Sequence, residues 1–283
     1  MTTFKPIHTD DAALARYAAL LLACFPMSEK FTVAYLRWLY RDNPDGRALG
    51  FDAWEGDQLA AHYVCVAARA QVNGAPVPVL LSLNTATHPA HQGKGLFTRL
   101  AALTYQAGAE LGYHGVYGVA NANSTPGFVR KLDFQLVRPL EARVGLGRLP
   151  AGRGAPLSFR RLWDQASLGW RAACPGQPLQ ARRRGQLWQF QAPAFGKLLP
   201  AYAELDAARL PGHPVLPGAD AAWSPLRLFL GLRPDADGRY RRYASIPRRL
   251  RPSPLNLIYL PLAGGERLDP GAIDFSFLDF DAY

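Results

Sequence analysis

The chain is poor in sulfur: its 283 residues hold three cysteines, Cys24, Cys65 and Cys174, and two methionines. Three scattered thiols exclude a disulfide framework or a cysteine-built zinc site, and Cys24 and Cys65 sit in apolar contexts that suit small buried hydrophobes. The six histidines show no H-x-x-x-H spacing of the kind that sets two ligands on one helix face, so no metal is expected. Long apolar runs are missing too; no stretch of about 18 residues could span a bilayer as a helix. The amino-terminal Met-Thr-Thr-Phe-Lys-Pro-Ile-His has neither the charged start nor the apolar core of a secretory signal, and a cytoplasmic location is expected. Acidic residues are the minority, 22 against 32 basic ones, giving a net charge of +10. The excess is largely arginine, clustered at Arg160-Arg161, Arg182 to Arg184, Arg241-Arg242, and Arg248, Arg249 and Arg251. Such clusters are either solvated surface or a preference for an anionic partner. With no recognised nucleic-acid-reading motif beside them, nucleic acid is not expected as that partner.

What is present is a globular composition, 49% hydrophobic and 19% charged, and an ordered series of periodic segments. Asp10 or Asp11 can cap a first helix with Leu14, Tyr17, Leu21 and Cys24 in one stripe, and Thr32 can start a second over Val33 to Tyr40, stopped by Asn43-Pro44-Asp45-Gly46. A meander comes next: Phe51 to Trp54, a Glu55-Gly56-Asp57 turn, Gln58 to Gln71, an Asn73-Gly74 turn, and Val77 to Thr87. Asn-Gly between apolar runs marks a hairpin because both residues tolerate positive φ. In the last strand the alternation predicts one face made of Val77, Val79, Leu81, Leu83, Thr85 and Thr87. Gly93 and Gly95 then open a helix with apolar rows Leu96, Leu100, Leu103, Ala107, Leu111 and Phe97, Ala101, Thr104, Gly108. A strand over Gly115 to Asn121, a short helix over Pro126 to Leu132 and apolar segments from Phe134 to Leu146 complete this half.

Glycines at 93 and 95 free the backbone to take conformations closed to other residues, and the helix behind them offers unpaired N–H groups and a positive dipole end. That is a cradle for phosphate. A dinucleotide fingerprint would need a third glycine and an acidic residue about 20 positions on in a parallel unit; Glu110 lies on the helix instead, and the preceding strands read as hairpins. The run Gln92-Gly93-Lys94-Gly95-Leu96-Phe97 fits the pattern Q/R-x-x-G-x-G/A at Gln92 and Gly95, with Phe97 in the last, usually small, position. With its flanking order of strand, cradle, helix, strand and helix, the chain resembles the GNAT superfamily of acyl-CoA-dependent N-acyltransferases.

The resemblance implies an α/β fold: a central mixed, mostly antiparallel sheet flanked by helices. It is used up near residue 147, and the Gly- and Pro-rich stretch 147–156 suits a connector. The expected division is 1–147 for the GNAT domain and 148–283 for a C-terminal α/β domain. In the latter the sequence predicts a helix over Ser158 to Ala173, a strand near Leu187 to Gln191, a helix near Phe195 to Leu210, a segment Trp223 to Leu232, and strands over Leu255 to Leu262 and Phe275 to Tyr283. A faint echo between Leu36-Arg37-Trp38-Leu39 and Leu226-Arg227-Leu228-Phe229, each with a Pro-Asp turn after it, raises either a degenerate GNAT-like repeat or coincidence.

For chemistry, the resemblance implies direct transfer of an acetyl group from acetyl-CoA to an amine. Backbone amides of Gln92, Gly93, Lys94, Gly95, Leu96 and Phe97 would bind the diphosphate, main-chain groups of Thr85, Ala86 and Thr87 the pantetheine arm, and Asn123 the same arm from the next strand. Trp38 and Tyr40 lie in the region where the family builds its acceptor wall. Val129 falls where the family tyrosine protonates the leaving thiolate, and Asp133 replaces the glycine before Phe134. Either the thiolate leaves unassisted or another group such as Tyr117 or Ser124 serves. A base could be His88, a water held by Asn84, or the terminal carboxylate of Tyr283. The pattern Thr87 to Phe97 with Asn121-Ala-Asn-Ser-Thr-Pro-Gly-Phe128 after it resembles GNAT members associated with surface-polysaccharide assembly, which favours an amino sugar, anionic or nucleotide-linked, as the small amine substrate. The alternatives are a non-catalytic CoA-binding module and an acyltransferase that modifies an antibiotic or other metabolite.

Overall fold

The computed structural model describes residues 1–150, 156–177, 179–194, 196–210, 223–234, 240–251, 253–262 and 264–280. In chain order the elements are β1 (Thr2–Pro6), α1 (Asp11–Cys24), α2 (Val33–Tyr40), β2 (Leu49–Glu55), β3 (Gln58–Val72), β4 (Ala75–Thr87), α3 (Leu96–Glu110), β5 (Gly115–Ala120), α4 (Thr125–Lys131), β6 (Gln135–Pro139) and β7 (Glu141–Leu146). They continue with β8 (Phe159–Arg161), α5 (Gln165–Ala172), β9 (Gln180–Arg184), β10 (Leu187–Ala194), β11 (Gly196–Asp206), β12 (Leu226–Leu232), β13 (Tyr243–Ser245), β14 (Asn256–Pro261) and β15 (Ile273–Ser276). The chain divides into two compact units, one of Met1–Ala68, Pro78–Leu136 and Ile258–Arg267, the other of Arg69–Val77, Val137–Leu257 and Leu268–Tyr283.

In the first unit the strand order is β6-β14-β5-β4-β3-β2-β1. β1–β2 and β2–β3 are antiparallel, whereas β4 and β5 run parallel, joined through α3. Asp10 caps α1 by accepting from the Ala13 amide at 3.0 Å, and Thr32 caps α2 through Tyr35 at 3.1 Å. Both starts arise from a short polar side chain meeting the unpaired first-turn amides. α3 lays Leu96, Leu100, Ala101, Thr104, Tyr105 and Gly108 on the sheet, and Leu111, expected inside, is 67% exposed. Small residues decide that face: a Cβ at Gly108 would lie 2.9 Å from Leu80 Cδ1, so the helix backbone rides close to the strand where Leu103 and Ala107 could not.

β4 departs from simple alternation. Asn84 has φ +46°, a left-handed conformation inside a strand. One residue in that conformation shifts the side-chain phase of the residues beyond it. Val79 to Ser82 are all buried, and beyond Asn84 it is Ala86 that faces inward while Thr85 and Thr87 are partly exposed. The single face expected from Val77 through Thr87 is therefore broken at residue 84. The Asn73-Gly74 turn is as expected, with φ +46° and +90°.

The second unit is richer in strands than its sequence suggests. Its order is β9-β10-β11-β12-β15-β8, with β7 pairing β12 and β13. The helix expected over Phe195 to Leu210 is β11, the antiparallel partner of β10. Pro200 lies at its middle, where a helix would lose an N–H and meet a ring clash but a strand with a solvent-side or irregular position can hold it. The helix expected over Ser158 to Ala173 is two elements, β8 and then α5, separated by Asp164, whose carboxylate caps α5 in a reciprocal pairing with Ser167. The strand expected over Phe275 to Tyr283 stops at Ser276, where a second reciprocal cap with Asp279 starts a 3-10 turn over Phe277–Asp279. Leu36 to Leu39 lie in α2 and Leu226 to Phe229 in β12, so the echo between them joins a helix to a strand and marks no structural repeat. Several of the arginines rest on aromatic faces: Arg161 on Trp163 at 3.9 Å, Arg182 on Trp223 at 4.1 Å and Arg227 on Tyr202 at 4.0 Å. Part of the basic excess is thus spent on packing.

Asp279 is buried beside this cap, accepting from the Ser276 amide at 2.6 Å and from Trp163 Nε1 at 3.0 Å. Burial outweighs those bonds and the nearby Arg161, and its carboxyl is pushed up from 3.8 to about 6. A raised carboxyl pKa favours the folded state fully below the unfolded value and loses that contribution as pH rises through the folded one. Denaturant unfolding between pH 4 and 6.5 is expected to show stability falling with pH by about 1.4 kcal/mol for each unit of that pKa difference, and Asp279→Asn to remove this component of the slope.

Candidate functional site

The parallel pairing of β4 with β5 covers Leu80, Leu81 and Ser82 against Val116, Tyr117 and Gly118, and ends there, although β4 runs on to Thr87 and β5 to Ala120. Asn84 sits two residues past the last pair, where its left-handed backbone turns the strand out of register. The result is a slot flanked by unpaired main-chain groups of two parallel strands. A Cys24 thiol contact to the Thr87 carbonyl, at 3.3 Å, brings the end of α1 to the same strand end. Burial raises that thiol's pKa above its ordinary value.

After Thr87 a 3-10 turn over Pro89–His91 leads to the glycine loop. His88 caps that turn, its Nδ1 accepting from the Ala90 amide at 3.3 Å. Gly93 and Gly95 have φ +79° and +71°, and a Cβ on either would meet nothing within 4 Å. The conformation, not crowding, is what requires glycine, and the space over the loop is open. Gly95 is the N-cap of α3 with no side-chain cap of its own, so the first-turn amides face outward unsatisfied by a side chain. Lys94 is half exposed, 3.3 Å from His91 and 3.7 Å from Glu55. Open space over two glycines, outward amides, a helix dipole and a lysine are what a diphosphate needs, so the residues fit the phosphates of acetyl-CoA.

Phe97, the large residue at a usually small position, has room because of a neighbour. A Cβ at Gly127 would lie 3.2 Å from the Phe97 ring. The ring stands edge-on to Phe128 at 5.2 Å and to Tyr63 at 5.9 Å, joining α3 to α4 and β3. Tyr63 also bonds Tyr105 at 2.5 Å and Ser82 at 2.7 Å, a buried knot at the last paired residue of β4. At the end of β5, Asn121 organises the entry to α4: its Oδ1 accepts from the amides of Asn123 and Ser124, and its own amide donates to Ser124 Oγ at 3.1 Å. The Ser124 hydroxyl is thereby engaged in the turn, while Asn123 is exposed. Asp133, where the resemblance leads one to expect glycine, holds φ +55°, a conformation an aspartate tolerates better than most side chains. Tyr117 is fully buried, and Tyr283 lies outside the described residues.

Sequence reasoning missed the polar centre of the first unit. Asp52 and His62 are cross-strand partners on β2 and β3, with His62 Nδ1 2.7 Å from Asp52 Oδ1. Tyr17 on α1 donates to Asp52 Oδ2 at 2.8 Å and accepts from the His8 amide at 3.0 Å. On the other side of the imidazole, His62 Nε2 meets Tyr40 Oη at 3.1 Å, and Tyr40 Oη accepts from Asn84 Nδ2 at 3.1 Å. The Tyr17 ring stacks on the imidazole with centroids 4.1 Å apart. Tyr17, Tyr40, Asp52 and His62 are each at most 1% exposed, so this chain of bonds leads from a sealed carboxylate to Asn84 in the slot. Burial and the adjacent Asp52 raise the Tyr17 pKa far above its ordinary value, keeping its hydroxyl a donor. Asp52→Ala strands two buried donors, each worth roughly 1–3 kcal/mol when unsatisfied. Denaturant melts are expected to show at least that loss, and Tyr17→Phe a smaller one because Asp52 keeps His62.

Residues 5–137 match the family described as acetyltransferase (GNAT) domain, just under half of the chain. The sequence shows no significant match to any curated protein. Among solved structures, a conserved protein of unknown function from Enterococcus faecalis V583 superposes with a TM-score of 0.63 at 8% identity, covering 93% of this chain and 73% of that one. A GCN5-related N-acetyltransferase from Anabaena variabilis ATCC 29413 gives 0.59 at 11% identity over 91% and 72%. Eis1 from Mycobacterium abscessus gives 0.57 at 14% over 91% and 73%. At these identities the likeness is one of fold, and it extends over nearly the whole chain. The cradle and the slot both lie within residues 5–137, the span similar to a GNAT acetyltransferase domain, and the chain shares its fold with a GCN5-related N-acetyltransferase.

Proposed function

We propose that the protein transfers the acetyl group of acetyl-CoA directly to a small amine, most favourably an amino sugar, with the thioester carbonyl in the slot between β4 and β5. The observation that carries this reading is the end of β4–β5 pairing at Ser82 and Gly118, next to a glycine loop that opens α3. In this reading the amides of Gln92, Gly93, Lys94, Gly95, Leu96 and Phe97 hold the diphosphate, main-chain groups of Thr85, Ala86 and Thr87 line the pantetheine arm, and Asn123 meets it from the β5 side. The transfer chemistry is carried within residues 1–147, and 148–283 supply most of a second domain, apart from Ile258–Arg267, which belongs to the first compact unit. The amine enters from the side of α1 and α2, and the reaction belongs in the cytoplasm, where three unbridged cysteines are at home.

Energetics favour an acceptor of modest basicity. An amine with a pKa of about 10.4 is neutral in only about one molecule in 2,500 at pH 7, a penalty of about 4.6 kcal/mol. The neighbouring oxygens of an amino sugar lower that penalty, and positioning alone can supply effective molarities of about 10⁵ M or more. The leaving thiolate, with a pKa near 8.5 for a comparable thiol, departs without a tyrosine at position 129.

Two measurements test the reading. Gly95→Asn keeps a residue that tolerates positive φ but fills the open space over the loop, so calorimetry is expected to show tenfold or greater weakening of acetyl-CoA binding, about 1.4 kcal/mol, at near-native thermal stability. Gly56→Asn, a turn glycine at φ +60° with equally open space, is the control and leaves binding unchanged. Thiol release from acetyl-CoA with glucosamine, spermidine and a lysyl peptide identifies the acceptor class; turnover of the peptide or polyamine with glucosamine inert overturns the amino-sugar assignment.

A further inference from the structure

We infer that Asp52, His62 and Tyr40 are positioning residues for the transfer, acting through Asn84 to present its side-chain carbonyl oxygen to the attacking amine. This rests on the reading of the β4–β5 slot as the site of acyl transfer.

With Asp52 ionised and His62 neutral, the direction of every bond in the chain follows from its sealed end. An ionised carboxylate only accepts. Tyr17 therefore donates to Asp52 Oδ2, and His62 carries its proton on Nδ1, 2.7 Å from Asp52 Oδ1. When the imidazole is neutral its Nε2 is an acceptor, and the Tyr40 hydroxyl spends its one proton on it across 3.1 Å. Having no proton left, Tyr40 Oη can only accept from Asn84, which fixes the amide with Nδ2 toward Tyr40. Oδ1 must point the other way, and among the described residues nothing donates to it. An amide left to itself could present either end. Here one end is assigned from a carboxylate three hydrogen bonds away, and the end left over is an acceptor suited to an amine N–H.

Position argues the same way. Asn84 holds a left-handed backbone in the interior of a strand, an arrangement that persists when surroundings over-determine it and that clusters at functional sites. Tyr40, Asp52 and His62 are completely or almost completely buried, and burying polar groups without a task for them is costly. A hydrogen bond from the amine to Asn84 Oδ1 would orient its lone pair toward the thioester, and loss of such orientation is worth about 10²-fold in rate.

The test is a double-mutant cycle on the full-length protein, with acetyl-CoA and whichever of glucosamine, spermidine or the lysyl peptide the wild type turns over. Tyr40→Phe keeps the buried ring and removes the hydroxyl; Asn84→Gly accepts the positive φ and removes the side chain. Each single variant is expected to lower kcat by about 10- to 100-fold with the KM for acetyl-CoA unchanged, and the double variant to be no slower than Asn84→Gly alone. His62→Gln, which retains a side-chain acceptor for the Tyr40 hydroxyl, is expected to recover part of the rate lost in His62→Ala. Multiplying losses in the double variant, or a normal kcat in a folded Tyr40→Phe protein, would overturn the inference while leaving the transferase reading intact. A wild type that turns over none of the amines would overturn the reading of the slot and this inference with it.

Discussion

Two parallel strands stop pairing after Ser82 and Gly118, and the chemistry of the first unit hangs on that interruption. Parallel neighbours normally satisfy one another along their whole length, because an unpaired buried amide or carbonyl is expensive. Here Asn84 turns β4 out of register with a left-handed residue, and the main-chain groups beyond it become available to something other than β5. The buried knot of Tyr63, Tyr105 and Ser82 pins the last paired residue, so the opening begins at a defined place. Strand interruption and glycine loop are separated only by Thr85 to Gln92, and one extended ligand with a thioester at one end and phosphates at the other can engage both.

The loop illustrates how a backbone site is built with few side chains. Gly93 and Gly95 need positive φ and face open space, so the protein contributes conformation and amides while the ligand supplies the volume. Phe97 would be an obstacle in that arrangement were it not turned into the core, where Gly127 leaves space for its ring against Phe128. The large residue at a small position and the glycine thirty residues later are one packing solution. Asp133 makes a similar exchange, taking by its tolerance of the left-handed region the place a glycine would hold.

Much of this was legible in sequence because it is local. Caps at Asp10 and Thr32, the Asn73-Gly74 hairpin, the loop and the start of α3 each depend on residues within a few positions of one another. The relay was not legible, and the register shows why. From the Glu55↔Gln58 and Trp54↔Leu59 pairs, an uninterrupted hairpin would set Asp52 opposite Ala61 and turn His62 to the other face. A shift between Ala53 and Trp54 instead pairs Ala53 with Ala61 and Asp52 with His62. One extra residue in β3 thus creates the pair, and no composition or spacing rule announces it. Tyr40 and Asn84 were visible as separate candidates, but their contact spans 44 positions. In the second unit the failures were of a different kind: Ala- and Leu-rich stretches around Pro200 read as helical, yet their partner strand β10 and the proline itself settle them as β11.

The two irregularities, the shift in β3 and the left-handed residue in β4, belong together. Without the first, His62 would face away from Asp52 and Tyr40 would lack its acceptor. Without the second, the Asn84 side chain would obey the alternation of a regular strand, with no reason to meet Tyr40. Each is unfavourable as local geometry, and each is retained where it supplies one end of the same chain of hydrogen bonds. A fold that needed only stability could satisfy this interior with apolar side chains at lower desolvation cost. Holding two strand defects in register around an ionisable pair makes sense when the exposed end of the chain, the amide of Asn84, must keep a single orientation in an otherwise main-chain site.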